Sequence, residues 1–109
     1  MVSTRKVNEV NIDEDIAFDV LEAVLEAGKS GIRMGKLVDE VCHKDTLRRD
    51  KNRKPSDVLV KTADVLIFWV EQEELIVKKG KKEDSEIFYL INPEKIGEAR
   101  SILKRALGI

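Results

Sequence analysis

The residues best suited to covalent chemistry are the single cysteine and the single histidine, which are adjacent as Cys42 and His43. Neighbouring residues of a helix point in different directions, so this pair does not form a ready nucleophile and base. Two ligands also fall short of the three or four that a zinc site needs. The sequence contains no phosphate-loop or dinucleotide-binding motif. We therefore expect no enzyme, metal or cofactor, a buried structural role for Cys42, and a surface position for His43.

A run of lysines offers a different chemistry, the binding of phosphate. It lies between two β-type runs, 75–77 and 87–91, which predict a hairpin with a polar loop over 78–85. Lysine is a mobile point charge that suits phosphate but reads bases poorly. The alternative role is protection of a strand edge or solubility, which the acids within 83–86 favour. The candidate contact residues of this loop are Lys78, Lys79, Lys81 and Lys82.

A second basic segment lies between the second and third helical patterns. Its arginines can pair with two phosphate oxygens at once and can enter a narrow minor groove. The segment can equally be a flexible charged loop, and its first part can extend the preceding helix through Leu47. The candidate contact residues are Arg48, Arg49, Lys51, Arg53, Lys54 and, on the following helix, Lys61.

The length of 109 residues predicts one domain. The net charge is only −1, but the charges are sorted into an acidic first quarter and a basic middle, which can form a local positive patch. Charged residues reach 38% and Gln72 is the only glutamine, a composition typical of thermophiles.

Composition also bears on location. A single cysteine allows no intramolecular disulfide. No apolar run approaches the roughly 20 residues that span a bilayer, and the N-terminus lacks the apolar core of a signal peptide. We therefore expect an intracellular (cytoplasmic) protein without a membrane partner.

Hydrophobic periodicity predicts the elements that position these segments. The first helix is expected to start at an Asn11 cap, to bury Ile16, Ala17, Val20, Leu21, Val24 and Leu25, and to end at Gly28. A very short strand follows at residues 32–33, and a second helix runs from about Gly35 to His43.

A third helix is expected from a Ser56 cap to about Glu74. Its apolar residues form a main stripe of Leu59, Ala63, Leu66, Ile67 and Val70. A second stripe contains Val58, Val65 and Trp69. The exposed remainder is Asp57, Lys61, Asp64, Phe68, Glu71 and Gln72. After the hairpin, Asn92 and Pro93 open a last helix that Gly108 ends.

In this order the elements resemble the winged-helix branch of the helix-turn-helix superfamily over about residues 12–107. The stretch 26–37 looks like the turn between the first two helices of such domains, and the basic hairpin looks like their wing. The resemblance implies an α+β, mostly helical fold with a three-helix core, a two-stranded wing and a C-terminal helix. The domain would occupy residues 11–109, after a flexible N-terminus at 1–10.

The resemblance further implies that the third helix enters the major groove of DNA and that the wing contacts backbone or minor groove. We expect a transcriptional regulator that binds double-stranded DNA through its basic segments. The alternative is a protein-interaction module within a larger assembly, which the acids Asp57, Asp64 and Glu71 on the third helix favour. A homodimer through the first and last helices is also expected, unless these helices pack on each other within one chain.

Overall fold

A computed structural model describes residues 12–48, 54–81 and 86–107. The helices are α1 (Glu14–Ala27), α2 (Met34–Arg48), α3 (Pro55–Ile67) and α4 (Ile96–Leu107). The strands are β1 (Ile32–Arg33), β2 (Ile76–Lys81) and β3 (Glu86–Ile91). Short helical turns lie at Gly28–Ser30, Phe68–Gln72 and Pro93–Lys95. The described part is therefore α+β and mostly helical, as predicted. Residues 1–11, which include the predicted flexible N-terminus, lie outside it.

The core is built around α1, which packs against α2, α3, α4 and β3. Its predicted apolar face is confirmed, except that Leu25 is only half-buried. The fully or nearly fully buried apolar residues of α1 are Ile16, Ala17, Val20, Leu21, Ala23 and Val24. The indole N–H of Trp69 donates to the carbonyl of Ala17 at 3.0 Å. This bond joins the helical turn after α3 to the first turns of α1.

The start of α1 differs from the prediction, because Asp13 rather than Asn11 is the N-cap residue. The Asp13 carboxylate accepts a hydrogen bond from the amide of Ile16 at 3.2 Å. Glu14 and Asp15 then occupy the first turn, where the helix dipole favours acids. The other end is as predicted: Gly28 ends the helix with a positive φ of 67°.

Replacement of Asp13 by alanine is expected to lower the free energy of unfolding by about 1 kcal/mol, because one amide of the first turn loses its acceptor. The matched control is Asn11→Ala, which should change stability by less than about 0.5 kcal/mol if Asn11 is not the cap. Urea unfolding followed by circular dichroism measures both. A larger loss for Asn11→Ala than for Asp13→Ala would contradict the assignment.

The second helix extends to Arg48, so Leu47 is part of it, and its side chain is 74% exposed. Lys44 of α2 donates a hydrogen bond to Glu22 of α1 at 3.0 Å. Burial alone would lower the pKa of Lys44, but this bond and the nearby carboxylates outweigh it and raise that pKa. Lys44 therefore pairs within the protein.

The third helix begins two residues earlier than predicted. Lys54 occupies the N-cap position, Pro55 is the first helical residue, and Ser56 lies inside the helix. Proline suits this position because its missing N–H would have no partner there. The last part of the predicted helix is a π-turn over Phe68–Gln72. Glu74, with a positive φ of 57°, then ends the helical path.

The two predicted apolar stripes of the third helix are buried to different extents. The second stripe lies in the core, where Val58, Val65 and Trp69 are buried together with Thr62. The main stripe is only partly covered: Leu66 is buried, Ala63 and Val70 are half-buried, and Leu59 and Ile67 are exposed. Val60, which belongs to neither stripe, is also exposed. Phe68, predicted to be exposed, is half-buried and contacts the Trp69 ring edge-on at 5.1 Å between centroids.

The sheet has three antiparallel strands in the order β1-β3-β2, so the short strand β1 joins the predicted hairpin. Lys78, Lys79, Gly80 and Lys81 belong to β2 and not to a loop, which corrects the prediction. Gly80 has a φ of 146° and lies opposite Ile87. Because β2 is an edge strand of the described sheet, these lysines lie where edge protection would place them.

Hydrogen bonds join the segment just before β2 to the segment just before α4, at the base of the hairpin. The Asn92 side chain donates to the carbonyl of Glu74 at 3.1 Å and accepts from the amide of Glu94. The ammonium of Lys95 contacts the carbonyl of Glu73 at 3.3 Å. The predicted cap at Asn92 is therefore confirmed, and it also fixes the base of the hairpin.

The first and last helices pack against each other within the chain. Ala99 of α4 is buried, and Ile102 and Leu103 pack half-buried against the core. Packing within one chain was the predicted alternative to a homodimer interface on these two helices. Among the described helices, none has the length and apolar character needed to cross a membrane.

Candidate nucleic-acid interface

The outer face of the sheet carries a row of cation, aromatic ring and cation. Arg33 of β1 lies opposite Phe88 of β3, and Phe88 lies opposite Lys79 of β2. Directly paired residues of neighbouring strands project to the same face. The Arg33 guanidinium is 5.7 Å from the centroid of the Phe88 ring. Arg33 and Lys79 are exposed and Phe88 is half-buried, so both cations are presented to solvent beside an apolar centre.

A cleft of about 390 Å³ adjoins this row. It lies between α1, the start of α2 and the sheet, and Arg33, Lys36 and Phe88 form one part of its lining. Glu26 and Glu40 line it as well. The two bases can hold phosphate oxygens, whereas the two acids repel them. The lining of the cleft is therefore mixed in charge, with Arg33 on its sheet side.

Lys78 lies apart from this row. It is opposite Tyr89 in the register, on the face that also carries the buried residues Ile76 and Ile91. There it lines a groove between α3 and the hairpin. Lys81 lies in β2 opposite Glu86, and Lys82 lies outside the described residues. The three described lysines, Lys78, Lys79 and Lys81, therefore belong to a strand and not to a loop cluster.

The second basic segment is described only at its ends. Arg48 is the last residue of α2. Arg49, Lys51 and Arg53 lie outside the described residues. Lys54 is exposed and Lys61 is half-buried, and a separation of seven residues places them on the same side of α3, about 10 Å apart. Both belong to α3 or its N-cap, whereas Arg33 and Lys79 belong to the sheet.

The cysteine and histidine are not arranged as a reactive pair. Cys42 is half-buried, where full burial was predicted, and His43 is exposed. Burial raises the pKa of the Cys42 thiol, and the carboxylates of Asp39 and Asp45 raise it further. The thiol is therefore held in its protonated, weakly nucleophilic form. Within the described residues, no group of three or more histidine, cysteine or acidic side chains could hold a metal ion.

Sequence reasoning missed Arg33, Lys36 and Phe88 as members of a surface. The available signal was the predicted strand at 32–33, whose two residues must project to opposite faces. Ile32 is buried and Arg33 is exposed, as such alternation requires.

Comparison with known protein families, with curated proteins and with solved structures gave no match to this chain.

Proposed function

We propose that the protein is a winged-helix DNA-binding protein, most simply a transcriptional regulator, that contacts the phosphate backbone of duplex DNA. The observation that carries the proposal is the exposed pair Arg33 and Lys79, one on each side of Phe88 on the outer face of the sheet. Three helices followed by a hairpin and a last helix, with a short strand beside the hairpin, support the winged-helix assignment.

The contact is with backbone and not with base edges. Lysine and arginine side chains commonly contact phosphate oxygens, and such contacts carry no sequence information directly. The helix that such a fold would place in the groove, α3, exposes Leu59, Val60 and the acid Asp57, and the helical turn after it exposes Glu71. The two acids repel the phosphates on either side of a groove, so we do not assign base reading to α3.

The two neighbouring lysines of β2 provide a matched test, because they project to opposite faces of the sheet. Lys79→Ala is expected to weaken binding to duplexes of different sequence by a similar factor. It should also reduce the salt slope of log K by about 0.9, the value for one lost phosphate contact. Lys78→Ala should leave affinity and slope nearly unchanged. Fluorescence anisotropy with labelled duplexes, titrated over salt, measures both.

Two outcomes would overturn the assignment. If Lys78→Ala and Lys79→Ala reduce the slope equally, binding depends on net charge and not on the outer face. If the unmodified protein shows no salt-dependent binding to any duplex, the proposal fails as a whole.

The second candidate function is a protein-interaction module, and the observation that favours it is the exposed aliphatic stripe of α3. Both candidates are binding functions. We propose no catalytic role, because the raised pKa of the half-buried Cys42 thiol disfavours the thiolate that nucleophilic chemistry needs.

A further inference from the structure

An apolar groove runs between α3 and the inner face of the hairpin, away from the Arg33–Lys79 row. Its volume is about 230 Å³. The apolar lining comes from Met34, Ala63, Leu66, Ile67, Val70 and Tyr89, and Glu71 and Lys78 complete it. Ile67 is 55% exposed, and Leu59 continues the same helical side at 45% exposure. The exposed stripe of Leu59 and Ile67 therefore continues the apolar groove along α3.

Acids line one flank of this stripe. Asp57, Asp64 and Glu71 are spaced by seven residues, which places them along one side of the helical path next to Val60 and Ile67. Asp57 and Glu71 are exposed, and neither makes an ion pair within the described residues. The opposite rim, on β2, carries the exposed Lys78. The groove is therefore apolar at its floor, acidic along α3 and basic at the hairpin.

This charge pattern disfavours a second copy of the chain as the occupant. Two α3 helices that pack antiparallel around a two-fold axis bring like flanks together, because the axis is perpendicular to the plane of both helices. Asp57 of one copy would then approach Glu71 of the other, and the same contact would recur symmetrically. Like charges across an interface are repulsive, so an occupant with a basic flank fits better.

We infer that the groove binds a segment of a partner protein, namely an amphipathic helix whose apolar stripe is flanked by lysine or arginine. The apolar stripe packs on Ile67, Val70 and Tyr89 as a helix packs in a groove. The basic flank faces Asp57, Asp64 and Glu71. The interaction uses α3 and the inner face of the hairpin, so it is separate from the proposed DNA contact on the outer face.

Two synthetic helical peptides of about 15 residues, near the length at which isolated helices become stable, test this inference. They share one leucine stripe and differ only in a flank of lysines or of glutamates. Binding of labelled peptide to the full chain is measured by fluorescence polarisation at low and high salt. The lysine peptide is expected to bind at least about tenfold more tightly at low salt, with an advantage that falls as salt rises.

Variants of the protein locate the site. Ile67→Ser is expected to weaken binding of the lysine peptide by about tenfold, as loss of a central apolar contact does. Leu47→Ser is the matched control, because Leu47 is also an exposed aliphatic residue but lies on α2, and it should have no effect. Glu71→Lys should reduce the preference for the lysine peptide and improve binding of the glutamate peptide. Circular dichroism confirms that each variant is folded.

Several outcomes would overturn the inference. The proposed occupant is excluded if the two peptides bind with equal affinity or if neither peptide binds. It is also excluded if Leu47→Ser and Ile67→Ser weaken binding equally. A dimer in sedimentation that Ile67→Ser dissociates would assign the groove to a second copy. Displacement of the peptide by duplex DNA would assign α3 to DNA. Lys79→Ala, which should alter only DNA binding, keeps failure of this inference distinct from failure of the proposed function.

Discussion

Replacement of Leu21 by alanine is expected to lower the free energy of unfolding by about 3.5 kcal/mol, near the middle of the range for buried leucines. Leu21 is completely buried in α1, the helix that contacts the other three described helices. The shortened side chain leaves a cavity that several elements would have to move together to fill. A loss of this size lowers the melting temperature of a chain of this length by about 15 °C. Urea and thermal unfolding, followed by circular dichroism, measure both quantities.

The matched control is Leu47→Ala, which removes the same atoms from an exposed side chain of α2. It should change stability by no more than about 0.5 kcal/mol. Similar losses at the two positions would mean that Leu47 is covered in solution, and would contradict the arrangement of the core described above.

The second large effect is expected at Gly31, the residue before β1. Its φ is +78°, and a Cβ added there would lie 2.9 Å from Cβ of Phe88 and 3.2 Å from the carbonyl oxygen of Tyr89. Gly31→Ala therefore combines an unfavourable backbone conformation with overlap against β3. We expect a loss of about 3 kcal/mol from these two causes. Urea unfolding of the variant measures the loss.

Gly97→Ala is the control for this prediction. Gly97 lies in α4 and an added Cβ would meet nothing within 4 Å. Alanine favours helix over glycine by up to about 1 kcal/mol, so this variant should be as stable as the original protein or more stable. If Gly31→Ala were equally harmless, β1 would not be held against β3.

The face of α1, its end at Gly28 and the presence of a hairpin could be predicted because local patterns determine them. Ile16, Val20 and Val24 repeat at helical spacing, and no other arrangement buries them together. Asn11 and Asp13 are both good cap residues, so the sequence alone does not decide between them. The hydrogen bond from the Ile16 amide to Asp13 decides it.

The burial of α3 could not be predicted from its own sequence. Its two apolar stripes lie about a third of a turn apart, and either one could face a core. The choice depends on Trp69, whose N–H reaches the carbonyl of Ala17 and fixes the rotation of α3 against α1. The stripe of Leu59 and Ile67 then remains at the surface, which is how the groove arises.

The surface formed by Arg33 and Lys79 was equally inaccessible to sequence reasoning. Arg33 lies in a predicted two-residue strand and Lys79 in a predicted loop, and only the register with Phe88 of β3 brings them to one face. Lysine has a low strand propensity, so the sequence places the lysines in a loop. Pairing with β3 (Glu86–Ile91) instead extends β2 to Lys81.

The strand order β1-β3-β2 leads to an expectation about the order of events in folding. β2 and β3 are neighbours in the chain and close a short loop, whereas β1 reaches β3 only after two helices have been placed between them. Closing such a long loop costs more conformational entropy than closing a short one, so its contacts form later. We therefore expect the pairing of β1 with β3 to be absent from the folding transition state. Gly31→Ala should then accelerate unfolding and leave the folding rate almost unchanged. Arg33 would join Lys79 last when the chain folds and leave it first when the chain opens.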